Sequence, residues 1–113
     1  MTTKPKVRVR NFYGTRAQAR VAAGASLLDR LVPGWWRHVR LRKLDIGNDC
    51  NCVTGQLFGT YTKGLDALDL TEDEAKRYGF NTAGDFGGTY WALTRAWREE
   101  MRRRRAGTKV GRQ

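Results

Sequence analysis

Apolar residues recur at helical spacing near both ends of the 113-residue chain, and this periodicity constrains the fold more than any other feature. The first set is Val21, Ala25, Leu28 and Val32, which would share one face of a helix. Thr15 suits the N-cap of that helix, and Pro33-Gly34 predicts its end, because proline disfavours helical geometry in the residue before it. The last set is Tyr90, Leu93, Trp97 and Met101, which predicts a final helix from Thr89 with arginines displayed around it.

Two further helices are predicted between these ends. One, capped by Asn48 or Asp49, runs from about Cys50 to Thr62. Its glycines, Gly55 and Gly59, would let the tryptophan pair at 35–36 or the first helix pack closely against it.

A shorter helix follows, because Thr71 and Glu74 have the spacing of a capping box. Gly79 is predicted to end it as the C′ residue, with Phe80 anchoring the turn. The glycine-rich stretch from Asn81 to Gly88 is typical of a loop.

Two basic segments are compatible with more than one local structure. Residues 6–10 alternate base and valine, which suits an extended arm, a short strand or a disordered tail. Residues 35–44 mix two tryptophans with four Lys and Arg and one histidine, and fit either a short helix or an irregular segment.

The sequence therefore predicts a mainly α, single small domain of about four helices with basic termini that could be flexible. Its parts would be a basic N-terminal arm at 1–13, a helical domain at 14–105 and a C-terminal tail at 106–113. The predicted core is Val21, Leu28, Trp35, Trp36, Val53, Leu57, Tyr61, Leu68, Phe80, Leu93 and Trp97.

Charge is segregated along the chain. Residues 1–43 hold eleven Lys and Arg against one acid, residues 44–94 hold three against eight, and residues 95–113 hold eight against two. This polarity favours an anionic partner at both ends. No apolar run approaches the roughly 18 residues of a membrane span, so no membrane partner is expected.

Metal and catalytic chemistry have little support. Cys50, Cys52 and His38 are the only soft ligands, and one residue between the cysteines is shorter than zinc sites use. A Cys-His pair would still need a third group to orient the base. We therefore expect no metal, no cofactor and no enzymatic activity. Gly84 to Gly88 could cradle a phosphate, but it has no Walker lysine and is better explained as a plain loop.

Nucleic-acid binding has the strongest sequence support, because basic residues form patches able to neutralise phosphates. The candidate binding residues are Lys4, Lys6, Arg8, Arg10, Arg37, Arg40, Arg42, Lys43, Arg95, Arg98, Arg102, Arg103, Arg104 and Arg105. Trp35 and Trp36 could stack on unpaired bases or instead serve as core anchors. The arginine run at 102–105 could equally be a solvated helix end that complements the helix dipole.

Several blocks between Val32 and Trp97 carry a family resemblance. They are Pro33-Gly34-Trp35-Trp36-Arg37, Leu44-Asp45-Ile46, Cys52-Val53-Thr54-Gly55-Gln56-Leu57-Phe58-Gly59, Gly79-Phe80 and Tyr90-Trp91-Ala92-Leu93-Thr94-Arg95-Ala96-Trp97. Together they resemble small proteins of unassigned activity encoded by phages of actinobacteria.

The resemblance implies a phage product in the cytoplasm of the bacterial host, and it brings no catalytic residues. We expect a non-enzymatic phage accessory protein that binds DNA or RNA through phosphate contacts, with little base readout. The alternative is a protein-interaction module that engages a host or phage protein.

Overall fold

The structure, a computed structural model, describes residues 12–82 and 89–111, with side chains at 16–82 and 90–107. These residues form five α-helices and, within the described ranges, no strand, so the mainly α prediction is confirmed. The helices are α1 (Phe12–Leu31), α2 (Val53–Phe58), α3 (Tyr61–Leu68), α4 (Glu72–Arg77) and α5 (Thr89–Gly111). Short 3-10 turns lie at Trp35–Arg37 and Leu41–Lys43, in the segment whose local structure the sequence left open.

The two long helices, α1 and α5, pack against each other and form the main layer of the fold. Helix α1 begins at Phe12, before the predicted Thr15, and its predicted face is buried at Val21, Ala25 and Leu28. It ends before Pro33-Gly34 as predicted. Gly34 has a φ of 80°, which glycine adopts without a Cβ penalty, and this turn directs Trp35 back into the core.

The predicted helix from Cys50 to Thr62 is wrong, because the chain forms two helices there. Gly59 has a φ of 108°, a backbone conformation that no helix interior accepts, and it ends α2 at Phe58. The N-cap of α2 is Cys52, whose Sγ accepts a hydrogen bond from the Gly55 N–H at 3.3 Å. Thr60 then caps α3 by accepting from the Lys63 N–H at 3.1 Å.

Close glycine packing occurs at Gly55, but with a different partner from the one predicted. A Cβ at Gly55 would overlap the carbonyl oxygen of Asp49 and crowd the backbone of Cys50. The neighbour is therefore the turn that precedes α2, and not the tryptophan pair or α1. Gly24 on α1 makes the comparable contact between helices, with the Tyr78 carbonyl and the ring of Trp97.

The capping box of α4 is confirmed. Thr71 Oγ1 accepts from the Glu74 N–H at 3.1 Å, and Glu74 Oε1 accepts from the Thr71 N–H at 2.9 Å. Gly79 ends the helix with a φ of 77°, and Phe80 is buried directly after it. The predicted loop at 81–88 lies mostly outside the described residues, and the predicted arm at 6–10 lies entirely outside them.

Helix α5 supplies the centre of the core. Leu93, Trp97 and Met101 of its predicted stripe are buried, whereas Tyr90 is 47% exposed. Trp97 stacks on Phe80 at 5.5 Å between ring centroids and meets Trp35 edge to face at 5.6 Å. The helix continues to Gly111, through most of the segment expected to be a tail.

Most of the other predicted core positions are also filled as expected. Val53 and Leu68 are buried, while Trp36, Leu57 and Tyr61 are partly buried and pack against the core from outside.

We expect Trp97→Ala to lower the free energy of unfolding by about 3–5 kcal/mol, as truncation of a fully buried large aromatic does. Trp91→Ala, on the exposed side of the same helix, is the matched control and should change it by less than about 0.5 kcal/mol. Denaturant midpoints for both variants provide the measurement. Equal midpoints for Trp97→Ala and the unaltered protein would contradict this description of the core.

Candidate nucleic-acid interface

The tryptophan pair separates into one core anchor and one surface residue. Trp35 is fully buried, and its Nε1–H donates to Asp29 Oδ1 at 3.0 Å, so no base could stack on it in this fold. Trp36 is half-buried, with the Arg37 guanidinium 4.8 Å from the centre of its ring. Trp35 is therefore a core anchor, whereas Trp36 lies at the surface next to Arg37.

The backbone of this basic segment, defined as residues 37–44, is held on one side by Gln56 of α2. The Gln56 Oε1 accepts from the Arg40 N–H at 2.7 Å, and its Nε2–H donates to the Arg40 carbonyl at 3.2 Å. A third bond runs from Gln56 Nε2 to the Asn51 carbonyl at 3.0 Å. One amide side chain therefore satisfies both backbone groups of Arg40 and leaves the arginine side chain exposed.

On the other side, the basic segment is held by two arginines of α5. Arg98 Nη2 donates to the Leu44 carbonyl at 3.0 Å. Arg105 Nη2 donates to the carbonyls of Trp36 and Val39 at 3.0 and 2.7 Å. These contacts place the basic segment beside the arginines of α5.

The side chains of Arg37, Arg40, Arg42 and Lys43 are all exposed. Within the described residues, none of the four forms an ion pair. The segment therefore presents four cations on a backbone that is fixed from two sides.

The four arginines at 102–105 point in two directions, two toward solvent and two toward the rest of the fold. Arg102 is exposed, and Arg103 is exposed while pairing with Glu100 at 2.6 Å. Arg104 faces inward, with Nη1 2.8 Å from Asp29 Oδ1 on α1 and Nε 2.9 Å from Glu100 Oε2. With Arg105 bound to carbonyls, half of the run stabilises the fold, and only the rest faces solvent.

Helix α5 also presents an aromatic residue that the sequence interpretation overlooked. Trp91 is 65% exposed, and the Arg95 guanidinium lies 5.2 Å from the centre of its ring. Helical spacing could have identified it, because Trp91 falls off the stripe of Leu93, Trp97 and Met101. The N-terminal candidates Lys4, Lys6, Arg8 and Arg10 lie outside the described residues.

The face formed by these elements is named here the basic face. It comprises the exposed side chains of the segment and those that helical register places beside Arg98 on α5, which are Arg37, Arg40, Arg42, Lys43, Trp91, Arg95 and Arg102.

A separate open cleft of about 180 Å³ lies between the loop at 46–52 and Asn81. Tyr61 Oη donates to Glu72 Oε1 at 2.8 Å and accepts from Asn81 Nδ2 at 3.0 Å. Burial, together with the bond to the Glu72 carboxylate, raises the pKa of Tyr61 above its ordinary value of 10.0. The phenol is a neutral structural group here.

Within the described residues, none of the three soft ligands belongs to a cluster of potential metal ligands. Cys52 is buried as the cap of α2, and Cys50 and His38 are exposed. In residues 12–82 and 89–111, no three His, Cys, Asp or Glu side chains converge to hold a metal ion. No helix in those ranges has the length and hydropathy to cross a membrane.

Comparison with known proteins gives no match to a family model, to a curated protein or to a solved structure. The resemblance to actinobacterial phage proteins stays a prediction from the sequence.

We expect Arg104→Gln to lower the free energy of unfolding by about 1–3 kcal/mol, because Asp29 on α1 loses this cation and Glu100 on α5 keeps only its pair with Arg103. Arg102→Gln removes the same charge from an exposed position and should cost less than about 0.5 kcal/mol. Denaturant unfolding of the two variants at one salt concentration measures the difference. Equal effects would mean that the inward contacts of Arg104 add no stability.

Tyr61→Phe should lower the free energy of unfolding at neutral pH, because the variant lacks the hydrogen bond to Glu72. The difference in unfolding free energy between the variant and the unaltered protein should shrink as the pH rises. Below pH 10 both folded and unfolded states keep the phenol proton, so the unaltered protein keeps its full advantage. Above that, the unfolded state releases the proton while the folded state retains it, which favours unfolding. Unfolding free energies of both proteins between roughly pH 8 and 11 test this; a constant gap would contradict it.

Proposed function

We propose that the protein is a non-enzymatic nucleic-acid-binding protein that holds the phosphate backbone on its basic face. The observation that carries the proposal is the segment at 37–44, whose backbone is fixed by Gln56, Arg98 and Arg105 while its basic side chains remain exposed. A surface that only needed charge for solubility would not require such fixed backbone.

Preorganisation is what gives this arrangement its value for binding. Cations on a mobile segment lose conformational entropy when they meet a ligand, whereas a backbone fixed in advance has already lost it. Phosphates are the anions that nucleic acids present in a regular row, and each neutralised phosphate releases counterions. The exposed cations of the segment and of α5 suit such a row.

The basic face favours backbone contacts over base readout. Its arginines and Lys43 are long and exposed, and arginine and lysine contact phosphates without regard to sequence. Arg98 and Arg105, which were candidate binding residues, are better assigned to holding the basic segment. The N-terminal arm could add further contacts to the same backbone.

The setting of this activity rests on the sequence resemblance. On that basis the protein would act in the cytoplasm of a bacterial host as a phage accessory protein, with DNA or RNA as its partner.

The test compares two double substitutions that remove equal charge. Arg40→Gln with Arg42→Gln removes two cations from the basic face, whereas Lys63→Gln with Arg77→Gln removes two exposed cations from α3 and α4. Protein freed of nucleic acid by high salt is titrated with labelled DNA and RNA at several salt concentrations. The first variant should bind more weakly and lower the slope of log K against log salt by about 0.7–0.9 for each lost contact. The control should keep most of the affinity and most of the salt slope of the unaltered protein.

Equal losses in the two variants would show that net charge alone attracts the nucleic acid. No binding by the unaltered protein would reject the proposal and favour the alternative, a module that engages a host or phage protein.

A further inference from the structure

We propose that Trp91 stacks on an unpaired base, so that the nucleic acid bound on the basic face is single-stranded. This inference rests on the proposed function and adds the class of nucleic acid. Among the described side chains, the exposed large apolar groups are Leu31, Tyr90 and Trp91, of which Trp91 is the most exposed at 65%.

Among the described residues, Trp91 makes no core contact that would explain its position. The core side of α5 is occupied by Leu93, Trp97 and Met101, and the ring of Trp91 lies off that side. Tyr90 beside it has a polar partner, since its Oη donates to Asn81 Oδ1 at 3.3 Å. Tryptophan is enriched at binding interfaces relative to the rest of a protein surface.

The charges around Trp91 identify the chemistry of that partner. Arg95 covers the ring with its guanidinium at 5.2 Å and pairs only loosely with Glu99 at 3.8 Å. Helical register places Arg95 and Arg102 four and eleven positions after Trp91 along one side of the helix, while Arg98 between them holds the Leu44 carbonyl. An aromatic ring at the head of a row of arginines matches a ligand that is both anionic and aromatic.

Dimensions agree with a strand of nucleic acid. Residues 91 and 102 are separated by about 16 Å along the helix axis, at roughly 1.5 Å per residue. That length corresponds to about five phosphates at the spacing of roughly 3.4 Å per nucleotide of a stacked strand. One base would stack at Trp91 while the following phosphates pass the arginines.

The strand must be unpaired at Trp91. Bases within a duplex are covered on both faces by their neighbours, and only an unpaired base offers a free face to an indole. Arg95 covers one side of the ring, so the base would take the other. Stacking of this kind tolerates any base, which agrees with the phosphate-dominated proposal.

The experiment measures affinities of the full chain for four probes of equal length. They are single-stranded DNA, single-stranded RNA, an abasic sugar-phosphate strand and a DNA duplex. Trp91→Ala should weaken binding of the base-bearing single strands by roughly 5- to 150-fold and leave binding of the abasic strand unchanged. Trp91→Phe should restore much of the affinity, and Leu31→Ala, which removes exposed apolar surface elsewhere, should have no effect.

The outcomes separate this inference from the proposed function. If Trp91→Ala binds all four probes as the unaltered protein does, the stacking role is wrong, while the Arg40 and Arg42 variant can still support phosphate binding. If the protein binds the duplex more tightly than the single strands and Trp91→Ala leaves all affinities unchanged, single-strand binding is likewise rejected. If no probe is bound at all, both proposals fail. Whichever single strand, DNA or RNA, binds with the higher affinity identifies the sugar of the preferred nucleic acid.

Discussion

The indole of Trp97 is the contact on which the rest of the structure depends. It is fully buried, its Nε1–H donates to the Gly79 carbonyl at 2.7 Å, and Phe80 and Trp35 pack on its ring. Gly24 of α1 lies against the far edge of the same ring, where a Cβ would be 3.0 Å from it. One side chain of α5 thereby fixes α1, the end of α4 and the first 3-10 turn.

The basic face follows from this core by way of α5. Because Trp97 fixes the rotation of α5, the positions of Arg98, Arg104 and Arg105 on that helix are fixed too. Arg104 ties α5 to Asp29 of α1, and the other two hold carbonyls of the segment at 37–44. Arginine suits this work because its planar fork has several donors and stays charged when half-buried.

Local signals in the sequence were sufficient for most helices. The capping box of Thr71 and Glu74, the proline after α1 and the apolar stripe of α5 each act within a few residues, and the structure confirms them. The break at Gly59 was missed because apolar residues continue four apart across it, so periodicity favoured one helix.

The candidate site depended on contacts that no local pattern encodes. Arg104 and its partner Asp29 are 75 positions apart, and Arg98 and Leu44 are 54 apart. An arginine run therefore looks uniform in sequence, although the fold divides it into inward and outward members. The same limit applies to Gln56, whose role at Arg40 is visible only after α2 and the basic segment meet.

Holding a basic segment with further arginines has an electrostatic consequence. Gln56 is neutral, but Arg98 and Arg105 bring cations to a segment that already carries four, in a chain of net charge +11. Like charges gathered on one segment repel each other and oppose the compact state. The carbonyl bonds offset this repulsion locally, and a bound anion would relieve it further, so ligand binding and folding would favour each other. Phosphates bound on the basic face, as proposed, would therefore remove a repulsion that the fold otherwise tolerates.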